Sequence, residues 1–570
     1  MSTITKQSRR LTVLTAWILI GGFALQAQTA SPDWIYSTYL GGSDSDHGNA
    51  IASRNGWSYV VGLTRSPDFP TRNALQPYPP EGSTFPVDGF LSIFDSAGHL
   101  FYSSYFANPY GDFLQAVAVG PDGQIYLAGV SINLADVYAV VARFGLFTEV
   151  FYFQLGLGGR SDASGIAVDS QGAVYVTGAS FRVDPVYSPF LPQAYVAKLG
   201  SDGSQIYLTG LDGSGYERGN GLVLSPGGEV WVGGLTESPD FPTLGAFQTE
   251  RRGFRDGFVA RLDALGGIAF STYLGGGDRD EVEALAAAPS GGVWVAGTTR
   301  SDDFPLVGAA QEARNGPSDL FLAKIDASGA LVASTYLGGS GEDVLGGLAV
   351  DASGAVVLAG PVMSPDSPLA PSGCAGSFLA RLDPGDLRVL GSLCIPGAAV
   401  RGLALDSAGQ AYLTGSTFGG LPTIQAFQPQ PGGGEDAFAI KLQLNHPPDC
   451  SAASASPATI WPPSGKLVPV SIQGVTDPDG DPVTLTVTGV RQDEPLTKPG
   501  SPDATGIGTS NPSIRADRDG SGDGRVYRVS FTAIDPQGAS CTGTVTVCVP
   551  HDQGQGRTCG DGGPLFGSDQ

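Results

Sequence analysis

Variants of one stretch, Ala269–Gly297, recur along most of the chain. The stretch has a strand-like run ending in STYLGG, an acidic turn, a run of small residues, a glycine turn and the run VWVAG. Seven copies align on the glycine that ends the third run, about 59 residues apart on average: Gly62, Gly129, Gly178, Gly234, Gly297, Gly360 and Gly415. A repeat of this length indicates a propeller or a solenoid.

Each copy ends in a further run of the FVARLD type, at Phe258–Asp263 in the fourth copy. Its period-two alternation predicts a half-buried strand, so each copy supplies four short strands. The array starts with a STYLGG-type run at Trp34–Leu40 and ends with an unpartnered FAIKL run at Phe438–Leu442. We expect these two runs to share one sheet and close a ring, which removes open sheet edges. The sequence therefore predicts an all-β fold with a seven-bladed β-propeller over residues 31–445.

The sequence changes character after His446. Longer alternating runs follow, separated by the turns DPDG and DPQG. About 100 residues of this kind are typical of a small β-sandwich. We predict an Ig-like or cadherin-like sandwich over residues 446–550, followed by a glycine-rich tail at residues 551–570.

The first 30 residues have the layout of a signal peptide. Lys6, Arg9 and Arg10 precede the uncharged, mostly apolar run Leu11–Leu25, and small residues follow. No later apolar run reaches the ~20 residues of a membrane-spanning helix, so no integral membrane span is expected. The chain is predicted to be exported, to the periplasm, the cell surface or the medium.

Six cysteines also fit an oxidising compartment. Cys374 and Cys394 lie symmetrically about the turn Pro384–Asp386, so they would face each other across a hairpin and form a disulfide. Four other cysteines lie near the end of the chain and allow three pairings: Cys450, Cys541, Cys548 and Cys559. We favour Cys450–Cys541 and Cys548–Cys559. A zinc site is the alternative, but the sequence contains no CxxC pair.

Acidic residues number 55 against 31 lysines and arginines, a net charge of -24. No basic cluster longer than a pair occurs in the body of the chain. A nucleic-acid partner is therefore not expected. We expect a monomer.

The repeats resemble the bacterial SBBP family, which is named for its seven-bladed propeller repeats. The resemblance lies in the STYLGG-type run, the VYVTG run and the SPDFPT element, found at Ser66–Thr71 and Ser238–Thr243 and as SDDFPL at Ser301–Leu306. It implies an exported or cell-surface propeller and carries no agreed activity.

Common catalytic motifs are missing: the sequence has no HExxH, GxSxG or GxxxxGK[ST]. Paired carboxylates do occur in the glycine-rich turns of the repeats: Asp44 and Asp46; Asp278, Asp280 and Glu281; Glu342 and Asp343. Glycosidases need two carboxylates facing a cleft. Because these acids occupy equivalent positions in several copies, we interpret them as shared structural caps of backbone N–H groups. We assign no catalytic residue.

Two acidic loops after the repeats are calcium candidates. In the first, oxygen-bearing residues alternate as in the start of an EF-hand loop, at Asp517, Asp519, Ser521 and Asp523. Its twelfth position is Arg528, where a glutamate would be needed. The second is DPDGDP, with Asp477, Asp479 and Asp481. Ordinary acidic turns are the alternative interpretation of both.

The preferred hypothesis is a non-catalytic scaffold that binds a protein or carbohydrate partner through its variable loops, such as Arg65–Asp88 and Glu237–Asp256. The alternative is a secreted carbohydrate-active hydrolase or lyase at the mouth of the central channel. The charged residues at that mouth distinguish the two. A convergent carboxylate pair with a basic or aromatic partner favours the enzyme, and a mouth lined by small residues excludes it.

Overall fold

A computed structural model describes residues 34–81, 87–133, 137–145, 148–155, 160–181, 192–496, 501–536, 538–552 and 559–568. The predicted signal peptide, residues 1–30, lies outside these ranges. The regular elements within them are all β-strands, as the alternating runs predict.

The repeat region folds into four-stranded antiparallel sheets. Strand β1 (Trp34–Leu40) comes first along the chain. Sheet 1 contains β2 (Asp46–Arg54), β3 (Trp57–Thr64), β4 (Asp88–Phe94) and β5 (Leu100–Phe106). Sheet 2 contains β6 (Asp112–Val119), β7 (Ile125–Ile132), β8 (Val137–Gly145) and β9 (Thr148–Gln154). Sheet 3 contains β10 (Gly165–Val168), β11 (Val174–Phe181), β12 (Pro192–Leu199) and β13 (Gln205–Leu211).

The next sheets repeat this order. Sheet 4 contains β14 (Glu217–Leu224), β15 (Val230–Thr236), β16 (Asp256–Leu262) and β17 (Ile268–Leu274). Sheet 5 contains β18 (Asp280–Ala287), β19 (Val293–Thr299), β20 (Asp319–Ile325) and β21 (Leu331–Leu337). Sheet 6 contains β22 (Gly347–Val350), β23 (Val356–Pro361), β24 (Gly376–Leu382) and β25 (Val389–Pro396). Sheet 7 contains β26 (Ala399–Leu405), β27 (Gln410–Thr417), β28 (Asp436–Gln443) and β1.

The two ends of the repeat array meet in sheet 7. Strand β1 pairs antiparallel with β28, from Trp34 opposite Leu442 to Leu40 opposite Ala437. The predicted shared sheet is therefore confirmed. The innermost strands contact one another in chain order, and β2 contacts β26 to complete the circuit. A closed ring of four-stranded sheets is a β-propeller.

The core of the ring is divided among the spaces between neighbouring sheets. Trp231 of sheet 4 packs with Val295 of sheet 5, and Trp294 of sheet 5 packs with Leu358 of sheet 6. The same holds where the ring closes, since Tyr412 of sheet 7 packs with Phe90 of sheet 1. Sheets buried on both faces explain why so few charged residues occur in the strands.

The ring has two distinct faces. One face, which we call the hairpin face, carries the tight turns that join the first strand to the second and the third strand to the fourth in each sheet. The turn at Asp263–Gly266 is an example. We call long-loop face the opposite side, which carries the segments from the second to the third strand and the connections between sheets. The innermost strands all begin at the long-loop face, so their first residues surround the mouth of the ring there.

The C-terminal region has its own core. Its strands are β29 (Ser454–Ser456), β30 (Leu467–Pro469), β31 (Ser471–Gln473), β32 (Thr484–Gln492), β33 (Ala504–Thr505), β34 (Ser513–Arg515), β35 (Arg525–Ile534), β36 (Ser540–Val549) and β37 (Phe566–Gly567). A four-stranded sheet, in the order β36-β35-β32-β37, packs its apolar face against two smaller sheets. Ile472, Ile514 and Phe531 are buried between them.

Three disulfides are present, and each matches the favoured pairing: Cys374–Cys394, Cys450–Cys541 and Cys548–Cys559. They are consistent with an oxidising compartment. The last of them holds the segment that was predicted to be a separate tail. There β37 pairs with β32, and the Ser568 hydroxyl contacts Gln492 Oε1 at 2.8 Å. The described part of the tail therefore belongs to the C-terminal fold.

Candidate functional site

One acid in each of these glycine-rich turns fixes the backbone, as predicted. The prediction is wrong for Glu281 and Glu342, which instead contact Asn220, Arg255 and Arg300 side chains. Asp280 is 1% exposed, and its Oδ2 accepts hydrogen bonds from Gly276 N and Ser301 Oγ, both at 2.8 Å. Asp46 repeats both contacts in sheet 1, and Asp343 accepts from Gly339 N at 2.9 Å. Burial raises the pKa of Asp280 to about 6. The oxygens that hold these turns are therefore engaged within the protein, although Asp280 and Asp343 also border a cleft at the mouth of the ring.

The Ser-Pro-Asp-Phe-Pro element completes the same turn. Asp303 Oδ1 accepts a hydrogen bond from Gly277 N at 2.6 Å. A Cβ on Gly276 would approach that oxygen to 2.5 Å, which explains the glycine pair of the repeat. Phe304 is buried with its ring centroid 4.5 Å from that of Phe321. The element is therefore a turn whose phenylalanine packs into the core.

In β18, the side chains of Glu281 and Glu283, which alternate with Asp280 and Val282, face the mouth of the ring. Asp280 and Val282 are buried, whereas Glu281 and Glu283 are half-buried. The alternation is that of a strand, with a register shift between Val282 and Ala284. Glu281 was noted in the sequence only as part of the acidic turn, and Glu283 was missed. The alternating charge in Asp-Glu-Val-Glu was the available signal.

A cleft of about 300 Å³ opens at this point, and we call it the mouth cleft. It is lined by charged residues from three consecutive sheets, together with Thr298, Ser318 and Val344: Arg255, Arg279, Asp280, Glu281, Glu283, Arg300, Glu342 and Asp343. Glu281 Oε1 accepts from Asn220 Nδ2 at 2.9 Å. Arg255 contacts Glu237 at 2.6 Å and Glu281 at 3.8 Å. The cleft therefore combines guanidinium donors with carboxylate acceptors.

Glu283 is the most perturbed acid of the mouth cleft. Burial and the neighbouring Glu281 carboxylate raise its pKa to about 7, despite a hydrogen bond of 2.7 Å from Thr298 Oγ1. Glu281 and Glu283 thus bring two carboxylates of one strand to the cleft, one 3.8 Å from an arginine and the other with a pKa near neutrality. The mouth is not lined by small residues, which was the condition for excluding an enzyme.

The rest of the mouth is also charged, with residue types that differ from copy to copy. Arg218 lies 3.6 Å from Asp162, and His47 lies 3.7 Å from Glu435. Burial lowers the pKa of His47 against the opposing effect of Glu435. In many copies the innermost strand thus begins with a buried aspartate or glutamate, and the residue type at the next position varies from copy to copy.

Several mouth arginines project into solvent. Among the described residues, no ion pair is formed by the exposed guanidinium groups of four of them: Arg65, Arg160, Arg279 and Arg401. Arg279 lies over the ring of Phe254, at 5.2 Å from the centroid, and Phe254 is itself 56% exposed. Guanidinium groups without a described carboxylate partner therefore occur at this mouth alongside the carboxylates that line the cleft.

The two predicted binding loops reach the mouth only at their ends. Their middle parts fold back over the outer strands, where Arg72 bridges to Ser103 and Leu244 to Ser271. Glu237 and Arg255, which flank the second loop, stay beside the mouth cleft. Residues 82–86 of the first loop lie outside the described residues.

The calcium candidate in the DPDGDP turn forms a compact cluster on the opposite side of the ring. Ligand oxygens of Asp477, Asp479 and Asp481 lie within 4.8 Å of one another. Asp479 accepts from His446 Nδ1 at 3.1 Å, and Asp481 from Arg381 Nη2 at 3.1 Å. Burial raises the pKa of Asp477. Two of the three carboxylates therefore already have side-chain partners, and Asp477 Oδ1 accepts a hydrogen bond from Asp479 N at 2.9 Å.

The calcium candidate at Asp517, Asp519, Ser521 and Asp523 does not form such a cluster in the part of the chain that the structure describes. Asp517 Oδ1 caps Arg518 N, and Asp519 Oδ1 accepts from Ser521 N and Ser521 Oγ. Asp523 lies against Gly560. Arg528, in the twelfth position, pairs with Asp561. These contacts are those of an ordinary acidic turn.

Comparisons with known proteins identify no family, since no family profile matches the chain. It is 27% identical over 311 residues to the regulatory protein FlaEY of Caulobacter vibrioides, an alignment that spans 48% of this chain and 32% of that protein. The chain thus spans about a third of the length of this relative.

Solved structures with a similar arrangement include the WD40 β-propeller domain of Doa1, at 10% identity and a TM-score of 0.41 over 72% of this chain and 97% of that one. Hydrazine synthase of Kuenenia stuttgartiensis gives 13% identity and a TM-score of 0.40 over 65% and 93% of the two chains. Puromycin hydrolase gives 15% and 0.40 over 68% and 53%. Such low values say nothing about activity. No helix of the described residues is long and apolar enough to span a membrane.

Proposed function

We propose that this chain is an exported seven-bladed β-propeller of the SBBP type with an appended Ig-like sandwich, and that it binds a protein or carbohydrate partner at the mouth cleft without transforming it. The observation that carries this function is the set of exposed arginines around one mouth. Because these guanidinium groups lack carboxylate partners in the described part of the chain, they are suited to an anionic group of a ligand, although carboxylates also line the cleft.

The repeat architecture supports the same location. Buried acids such as Asp280 hold the turns in many copies, so their identity is constrained by folding. The next residue along is His47, Glu281 or Val344 in sheets 1, 5 and 6, and folding imposes no such constraint there. Specific recognition is expected where the copies differ.

The test is a comparison of charge removal on the two faces. Arg279→Ala/Arg300→Ala removes two mouth arginines, and Arg388→Ala removes an arginine that is 62% exposed on the hairpin face. Purified protein is screened on a glycan array and against candidate proteins from the same cell surface. We expect a ligand that is retained by wild type and Arg388→Ala and lost by the double variant. A ligand retained by all three proteins would contradict a mouth site.

A secreted carbohydrate-active enzyme, hydrolase or lyase, is the second candidate, and the Glu281–Glu283 pair favours it. With its raised pKa, Glu283 would hold a proton for a departing sugar oxygen, and Glu281, 3.8 Å from Arg255, would supply the second carboxylate. Incubation with a polysaccharide panel and assay of new reducing ends tests this role. Glu283→Gln should abolish product formation, and Glu435→Gln, at another part of the mouth, should leave it intact.

Calcium is proposed as the cation for Asp477, Asp479 and Asp481, because three carboxylates within 4.8 Å are a hard-ligand set. Binding there would have to compete with Arg381 and His446 for two of them. For Asp517, Asp519, Ser521 and Asp523 the proposal stands on sequence spacing alone.

A further inference from the structure

We infer that the mouth cleft binds the carboxylate of a uronic acid residue, within an acidic polysaccharide. This inference rests on the proposed function and specifies its ligand. Three features carry it: guanidinium groups that lack a full complement of partners, acceptors placed beside them, and an exposed aromatic ring next to the cleft.

The guanidinium groups supply the charge. Arg279 has no carboxylate partner among the described residues. Arg300 reaches Glu342 only at 3.7 Å, with both side chains about half exposed, so this contact is easily exchanged. A guanidinium binds a carboxylate through two parallel hydrogen bonds, which gives both strength and orientation. Arg279 and Arg300 both line the cleft, so both are available to bind one ligand carboxylate.

The acceptors select the kind of acid. Glu281 and Glu283 line the same cleft and can accept hydrogen bonds from hydroxyl groups. A sugar acid offers both a carboxylate for the arginines and hydroxyl groups for the glutamates. An acidic peptide or a DNA strand offers anionic groups to the arginines but few hydroxyl donors to the glutamates. The mixed lining therefore fits a polyhydroxy acid best.

The ring of Phe254 completes the set. It is 56% exposed, and the guanidinium group of Arg279 lies over it at 5.2 Å from the ring centroid. Binding sites for small ligands are commonly lined by aromatic rings with a few polar groups. At about 300 Å³, the cleft is at the small end of the range of such sites, which suits a single sugar residue of a longer chain.

The experiment is calorimetric titration of the full protein with oligogalacturonate and with its methyl-esterified form. We expect binding of the free acid and at least a tenfold weaker affinity for the ester. Arg279→Ala/Arg300→Ala should weaken oligogalacturonate binding at least tenfold, and Glu281→Gln/Glu283→Gln should also weaken it. Arg388→Ala should leave it unchanged, and the thermal melting temperature of each variant checks that it is folded.

Three results would overturn the inference: equal binding of acid and ester, equal binding of polyglutamate or an oligonucleotide, or unchanged affinity in the double arginine variant. If no uronate binds but another ligand is captured in an Arg279- and Arg300-dependent way, this inference fails and the proposed function survives. If nothing that the protein binds depends on these arginines, both fail.

Discussion

Asp280 and Glu281 are neighbours in the chain and carry the same charge, yet they occupy opposite environments. Asp280 is 1% exposed and holds Gly276 N and Ser301 Oγ. Glu281 faces the mouth cleft, where it contacts Asn220 and Arg255. Because successive strand residues point to opposite sides, one acid builds the turn and the other is available to a ligand.

The comparison shows how a repeat protein separates folding from recognition. The buried position recurs as Asp46, Glu217 and Asp343, each accepting a hydrogen bond from the glycine-rich turn before it. The following position is not restricted in this way. An acid that recurs in many of the turns is thus a poor guide to a ligand-binding site, and an acid that occurs in a single copy is a better guide.

Removing each neighbour separately tests the comparison most directly. Asp280→Ala leaves Gly276 N and Ser301 Oγ without their acceptor in a buried turn, so we expect the free energy of unfolding to fall by about 2–3 kcal/mol. Glu281→Ala should change it by about 0.5 kcal/mol. Chemical denaturation of both variants measures the difference. Equal losses would mean that the two positions are not distinct.

Two arginines offer the second comparison, on opposite faces. Arg381 is 12% exposed between Asp351, at 2.9 Å, and Asp481 of the C-terminal region, at 3.1 Å. Arg381→Ala leaves both carboxylates without their cationic partner, so we expect the free energy of unfolding to fall by about 2 kcal/mol. The linker at His446 should also be cleaved faster by proteases. Arg279→Ala should leave stability and proteolysis unchanged, since Arg279 has no such pair. Limited proteolysis with mass spectrometry measures the cleavage rate of the linker in both variants. Faster cleavage in Arg279→Ala than in Arg381→Ala would contradict the roles given to these two arginines.

The pH dependence of stability extends the comparison to both kinds of acid. Burial raises the pKa of Asp280 to about 6 and that of Glu283 to about 7, above the unfolded values of 3.8 and 4.5. The folded chain therefore binds more protons than the unfolded chain between about pH 4 and pH 7, and its stability falls as pH rises through that window.

Calorimetry should show a melting temperature several degrees lower at pH 8 than at pH 5. Glu283→Gln should reduce this decline without removing it, because Asp280 and its equivalents Asp46 and Asp112 contribute in the same direction. A melting temperature that rises between pH 5 and pH 8 would contradict these environments.

The smallest expected effect is that of calcium. If the cation binds Asp477, Asp479 and Asp481, millimolar calcium should raise the melting temperature by a few degrees through mass action. Asp479→Asn should abolish the shift, and Asp519→Asn should preserve it. No shift in wild type would end the calcium proposal for this turn.

Much of the fold could be predicted because its determinants are local or symmetric. Alternation gives the strands, the repeat gives the four-stranded sheets, and the unmatched first and last runs imply the β1–β28 pairing. The Cys374–Cys394 disulfide followed from the position of the two cysteines about a hairpin turn, whereas the other two pairings were only favoured among three possibilities. The tail was separated from the domain because β37 is too short to recognise by pattern.

The mouth cleft could not be predicted in this way. Arg255, Arg279 and Glu342 come from connections that belong to different sheets, and only the curvature of the ring brings them together. Likewise, nothing local in DPDGDP indicates that Asp481 meets Arg381, 100 residues earlier in the chain.

The sequence by itself determined the strand periodicity, the repeat, the ring closure and the structural role of the turn acids, because these depend on neighbours along the chain and on identical copies. Only the tertiary structure decided which charged side chains share the mouth. Convergence of distant residues depends on how the sheets pack around one axis, and that geometry has no period in the sequence.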